Sequence, residues 1–193
     1  MKVIDFARTR RAPPAARPAG AVARSECTEP AAPAADALPR LRRIAPADFA
    51  ALRAFVHGLS PATGYKRLFS GRLPDDDELR RWSAIDFDRE EALVAVVGST
   101  PDEQIVGVAR YVHDGAPEAE FAIVLADAWQ RRGLGTRLLG TLVYTARQQG
   151  VHRLVGLTQA TNAGMLALAQ ALGFTSGRAS DPALRRLTLQ LRP

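Results

Sequence analysis

The chain has one cysteine, Cys27, in 193 residues. That excludes an intramolecular disulfide and any metal site built on cysteine ligands. Histidine is almost as scarce. His57, His113 and His152 stand far apart, without the spacing that would place two of them on one metal. No apolar run reaches the roughly 18 residues a bilayer-spanning helix needs. The first residues, Met1 to Arg8, contain no apolar stretch of signal-peptide length, so export is not expected and the cytoplasm is the expected compartment. Aromatic residues make up 6% of the chain and do not interleave with its arginines, which removes the stacking pattern of a single-strand nucleic-acid binder. The net charge of +6 is scattered. It reads as solvated surface, with a few arginines left to meet an anionic ligand.

What is present divides into two parts. Residues 1–37 are rich in Ala, Pro and Arg and nearly free of large apolar side chains. Little core could form there to offset the entropy of ordering, so a disordered tail is expected. Residues 38–193 read as one folded domain, without internal repeats. An edge strand is expected from Leu38 to Ile44, then three short helices. The first follows Pro46 and carries Phe49, Leu52, Phe55 and Val56. The second opens at Ser60-Pro61 and stops at Ser70-Gly71. The third opens at Pro74-Asp75, with carboxylates in its first turn. Ala92 to Val97 and Ile105 to Val112 form an expected antiparallel hairpin, and Glu118 to Leu125 the fourth strand after a turn at residues 113–117. A long helix follows, with Leu134, Leu138, Leu142 and Ala146 at helical spacing and Gly150 as its terminator. Then come a strand from Val151 to Thr158, a helix from Asn162 to Gly173 with Met165, Leu166, Leu168, Ala169 and Leu172 on its apolar side, and closing strands. This order predicts an α/β (α+β) fold: a mixed, mostly antiparallel sheet of six or seven strands flanked by helices.

The stretch Gln130-Arg131-Arg132-Gly133-Leu134-Gly135-Thr136 joins a strand to a helix through a glycine-containing turn. Glycine lets backbone approach a ligand closely, and the first N–H groups of a helix favour an anion. A nucleoside-triphosphate loop would need Lys and then Ser/Thr after the last glycine, where Thr136-Arg137 stand instead. A dinucleotide fingerprint would need a small residue at Leu138 and a place after the first strand of its unit; here the motif follows about the fourth strand.

The motif resembles the Q/R-x-x-G-x-G/A pyrophosphate loop of the Gcn5-related N-acetyltransferases (GNAT). The likeness runs from Leu38 to about Leu191 and includes Asn162 and the Leu172-Gly173-Phe174 block. Phe55-Val56-His57-Gly58-Leu59-Ser60-Pro61, residues 85–95, Gly107-Val108-Ala109-Arg110-Tyr111 and Ala119-Glu120-Phe121-Ala122 are similar, more narrowly, to the acetyltransferase domain of Pat-type bacterial protein lysine acetyltransferases. The resemblance implies acetyl-CoA as cosubstrate, with no metal. Its pyrophosphate would lie on the backbone of residues 131–136, with charge from Arg131 and Arg132 and the motif opening at Gln130. Its pantetheine arm would bond the backbone of Ile123, Val124 and Leu125. An ordinary helix start and a plain buried strand would look the same in sequence.

An amine nucleophile must lose a proton before it attacks a thioester, because a lysine has a pKa of about 10.4. Glu120 is the candidate base. It stands between Ala119 and Phe121 in a strand whose apolar residues are expected to raise its pKa, and it matches the Pat-type catalytic glutamate. Glu118, on the same strand face, is the fallback. Many GNAT enzymes place a tyrosine general acid seven residues after the asparagine; Ala169 stands there instead. Asn162 is read as a contact to the CoA arm, as a helix N-cap, or as both at once. The resemblance implies an amine acceptor, a protein lysine, with a CoA-activating enzyme as one such target. A small-molecule amine, or a non-catalytic CoA-sensing or nucleic-acid-binding module, are the alternatives. No membrane contact is expected, nucleic-acid binding is not favoured, and the oligomeric state is left open.

Overall fold

In the central strand β2 (Glu90–Val97), seven of eight residues are buried. A strand buried on both faces must be covered by helices on both, and its neighbours follow from that requirement. The computed structural model describes residues 38–69, 72–113 and 117–191. The expected tail, the helix stop at Ser70-Gly71 and residues 114–116 of the expected turn lie outside the described residues.

Seven strands form one sheet: β1 (Arg40–Arg43), β2, β3 (Gln104–Val112), β4 (Glu118–Leu125), β5 (Arg153–Gln159), β6 (Thr175–Arg178) and β7 (Leu184–Gln190). Their spatial order is β1-β2-β3-β4-β5-β7-β6. Every pairing is antiparallel except β4 with β5. The expected mixed sheet is therefore present. The first strand is shorter than expected: Pro39 offers no N–H, and Leu38 is 81% exposed.

One face of the sheet is covered by three short helices, α1 (Phe49–His57), α2 (Pro61–Leu68) and α3 (Asp76–Ser83). Leu52, Phe55, Val56 and Leu79 pack there against Ala92, Val94 and Val96. Helix α1 is preceded by a 3-10 turn at Pro46–Asp48. Ser60 caps α2, its Oγ accepting from the Thr63 N–H at 3.2 Å. Asp75 and Glu78 form a reciprocal capping box at the start of α3, each carboxylate accepting the other's N–H at 2.8 Å.

The opposite face carries α4 (Leu134–Gln148) and α5 (Ala163–Ala171). The apolar stripe expected for α4 is buried: Leu138, Leu139, Leu142 and Ala146 are each 0% exposed. A fully buried leucine contributes about 1.5–3 kcal/mol, so this stripe fixes the helix to the sheet. Gly150, at φ 80°, ends α4, and the Val151 N–H closes the turn on the Ala146 carbonyl at 3.0 Å. That contact delays β5 until Arg153. On α5 only Ala169 is buried, so the apolar side expected to be core is largely half-covered. No helix of the described residues is long and apolar enough to cross a membrane.

Candidate active site

Strands β4 and β5 part company in mid-course. Their parallel pairing covers only Glu118, Ala119 and Glu120 against Arg153, Leu154 and Val155. Beyond that point β4 continues to Leu125 paired only with β3, and β5 continues to Gln159 paired only with β7. The next residue pair after the fork would be Phe121 and Gly156. A Cβ on Gly156 would lie 2.7 Å from the Phe121 ring. That ring is 4% exposed and packs on Phe174 at 4.9 Å between centroids. The aromatic ring thus sits at the base of a V-shaped opening and is fixed there.

Alternation decides which backbone groups line that opening. The Ala126 N–H donates to the Val106 carbonyl on β3 at 2.9 Å. Residues 122 and 124 share its direction and are spent on β3, whereas Ile123 and Leu125 point their N–H and C=O towards the opening. Of the three strand residues expected to hold a pantetheine arm, Ile123 and Leu125 present backbone bonds there. Val124 lines the cleft without doing so. The Leu125 carbonyl also accepts from Gln130 Nε2 at 3.2 Å.

The opening continues into a cleft of about 710 Å³. At one end lies the glycine turn. Gln130, Arg131, Gly133, Gly135 and Thr136 all border the cleft, whereas Arg132 and Leu134 do not. Arg131 and Gly133 both adopt left-handed backbone, at φ 62° and 79°. Gly133 is the N-cap of α4 and supplies no side-chain cap. The first amides of α4 therefore have no intrahelical partner and converge with the helix dipole on the cleft. Leu134 is buried in the core, so only its backbone is placed to contribute. The Arg132 guanidinium lies over the Trp129 ring, 5.8 Å from its centroid, which packs Trp129 against the loop. The open amides, the arginine at the rim and a cleft that runs from the loop to the fork suit a pyrophosphate and its arm.

Glu120 stands at the fork and borders the cleft. Its surroundings differ from those expected. The apolar neighbours in sequence, Ala119 and Phe121, project to the other face. On its own face lie Arg110, paired across from Ala122, and Arg67 from α2. Arg110 is 4% exposed and ion-paired with Glu90; burial pulls its guanidinium below the usual range. Burial lowers Arg67 to about 10, the charge of Arg110 pushing the same way and the charge of Glu120 opposing it. Arg67 escaped the sequence reading, because its place beside Glu120 depends on how α2 packs over the sheet.

Glu118, the fallback base, is engaged elsewhere: it is ion-paired with Arg153, Nε lying 2.7 Å from Oε2, and accepts from Arg186 at 3.1 Å. Asn162 borders the cleft but spends its side chain on structure, accepting from the Met165 N–H at 3.3 Å and donating to Thr158 Oγ1 at 3.2 Å. The capping reading is the one seen. Ala169 is 1% exposed, so its position holds no acid and faces no solvent. Met165 and Leu168 of α5 line the cleft, which explains why the helix is only half-covered.

Comparison with known proteins agrees with this geometry. Residues 62–174 match the model of the acetyltransferase (GNAT) family. The chain is 33% identical over 134 residues to acetyltransferase PA5475 of Pseudomonas aeruginosa, covering 67% of this chain and 70% of that protein. It is 30% identical over 116 residues to acetyltransferase Pat of Mycolicibacterium smegmatis, covering 59% of this chain but only 34% of that protein. Over 104 residues it is 29% identical to an L-methionine sulfoximine/L-methionine sulfone acetyltransferase of Pseudomonas aeruginosa, covering 51% of this chain and 60% of that protein. The solved GNAT domain of S. lividans PAT superposes with a TM-score of 0.71 at 27% identity, over 79% of this chain and 90% of that one. The chain belongs to the GNAT acetyltransferase family, acyltransferases whose donor is acetyl-CoA.

Proposed function

We propose that this protein transfers acetyl from acetyl-CoA to the side-chain amine of a protein lysine, by direct attack within a ternary complex, with Glu120 as the base. The carrying observation is the position of Glu120 at the point where β4 leaves β5. Pyrophosphate on the amides of residues 131–136 and a pantetheine arm along Ile123 and Leu125 bring the thioester towards that fork. An ammonium meeting it there would pass one proton to the Glu120 carboxylate. The neutral nitrogen would attack the carbonyl carbon, the C–S bond would break, and the departing thiolate would take the second nitrogen proton to leave as the thiol. Such a thiol has a pKa of about 8.5 and leaves without a strong acid, which suits the alanine at position 169. A backbone N–H on the open edge of β4 is suited to the oxyanion. The lysine acceptor rests on the resemblance to Pat-type domains.

One observation favours a second reading. The cleft also borders Arg67 of α2, Arg72, and Trp82 of α3, a cationic and aromatic lining that suits a small amine bearing a carboxylate. Incubation with labelled acetyl-CoA and a cell lysate separates the two. Label in protein at lysine supports the first reading; label confined to small amines overturns it.

A further inference from the structure

The two walls of the cleft are tied together by a closed hydrogen-bond network. Asp127 lies in the 3-10 turn (Asp127–Trp129) between the end of β4 and the glycine loop. Its Oδ1 accepts from Ser60 Oγ at 2.9 Å and from Thr63 Oγ1 at 2.8 Å, and its Oδ2 accepts from the Ser60 N–H at 3.2 Å. Ser60 Oγ in turn accepts from the Thr63 N–H, and Thr63 Oγ1 accepts from Gln130 Nε2 at 3.2 Å. The same Gln130 nitrogen reaches the Leu125 carbonyl. Each hydroxyl donates once and accepts once, so every bond has a fixed direction and none can be exchanged without breaking another. Residues 127 and 130 flank the approach to the donor loop, while residues 60 and 63 form the first turn of α2. That helix carries Lys66 and Arg67 to the far side of the cleft, where Arg67 meets the field of Glu120.

We infer that Asp127 is a positioning residue that couples occupancy of the glycine loop to the placement of α2, and through it to the acceptor side of the cleft. This rests on residues 131–136 receiving the CoA pyrophosphate. An anion held there restrains the loop; Asp127 and Gln130 carry that restraint to Ser60 and Thr63. Coupling of this kind is reciprocal, so an acceptor that orders α2 also tightens CoA.

Hydrogen exchange on the full chain, with and without CoA, tests the coupling. In the wild type, CoA should slow exchange both in residues 131–136 and in residues 61–68, the latter by about five- to tenfold. In Asp127→Ala the loop protection should persist and the α2 protection should vanish. Thr63→Val, which deletes only the shared hydroxyl, should behave in the same way and serves if Asp127→Ala fails to fold. Asp127→Ala should leave the acetyl-CoA Kd measured without amine within about threefold, while kcat/KM for the amine falls about tenfold. Asp127→Asn, which keeps an Oδ1 acceptor for both hydroxyls, should recover most of that loss. Equal α2 protection in the wild type and in Asp127→Ala overturns the coupling alone. Absence of loop protection in the wild type overturns the donor site on which it rests.

Discussion

Two glutamates share one face of β4, and their partners separate their roles. Glu118 has both oxygens bound by Arg153 and Arg186, so it is a clasp between β4, β5 and β7. Glu120, one step further along, borders the cleft at the fork. Replacing Glu120 by Gln keeps its shape and removes its basicity. We expect CoA affinity to stay within about twofold and kcat to fall by about 10²- to 10⁴-fold, the usual worth of a positioned base. Stopped-time thiol release alongside calorimetric CoA titration checks both halves; near-normal turnover would refute the assignment. Glu118→Gln should show the reverse pattern, with turnover largely kept and at most about 1 kcal/mol of stability lost, because the pair is partly exposed. Glu120 stood out in the sequence because Ala119 and Phe121 flank it in a strand that is wholly apolar beyond it, and because it matches the Pat-type glutamate. Arg67 and the Asp127–Ser60 bond were not, since they join residues far apart in the chain, 67 positions in the second case. Only the packing of α2 brings such residues together.

At the scale of elements, the fork itself depends on a missing side chain. Gly156 faces the Phe121 ring, which has no room to retreat because Phe174 backs it. Gly156→Ala should therefore overpack the junction and cost about 1–3 kcal/mol. Thermal melts should show a lower midpoint, and vacating that space by Phe121→Leu in the double variant should recover part of the loss. Full stability of the single variant would mean the ring is not wedged. Strand β4 and helix α4 were readable from sequence because each declares its period over many residues. The insertion of β7 between β5 and β6 was not, since adjacency in a sheet follows packing rather than chain order. Asn162 shows the same limit from the other side: its cap is a local bond that sequence anticipates, while its place on the cleft wall depends on how α5 leans over the opening. The face of α5 read as core became a cleft wall for that reason, Met165 and Leu168 being apolar for a ligand arm as much as for a neighbouring helix.

Across the whole molecule, carboxylates hold the helical cap of α1, α2 and α3 over the sheet. Hydrogen bonds from Arg42 keep Asp48 below the usual carboxylate range against the opposing effect of burial. Hydrogen bonds from Arg72 do the same for Glu78, at 2.7 and 2.8 Å. For Asp127 desolvation pushes upward, but the bonds from Thr63 and Ser60 prevail and its value is lowered. All three sit in or against the segment from β1 to α3 that roofs the sheet, whereas the core beneath α4 is apolar. A carboxylate whose folded pKa lies below its unfolded value binds more protons when unfolded. Its contribution to stability is complete above the unfolded value, about 3.9 for Asp and 4.3 for Glu, and is lost as pH falls through the folded one. The melting temperature should therefore be level from neutrality down to about pH 5 and decline below about pH 4. Glu78→Gln keeps the packing of a side chain that is 5% exposed but removes its own titration. Its melting temperature should start lower at pH 7 and change less steeply with acid, the two curves converging at low pH. Parallel curves would show that the roof is held by packing alone and that the Arg72–Glu78 pair contributes nothing that protonation can remove.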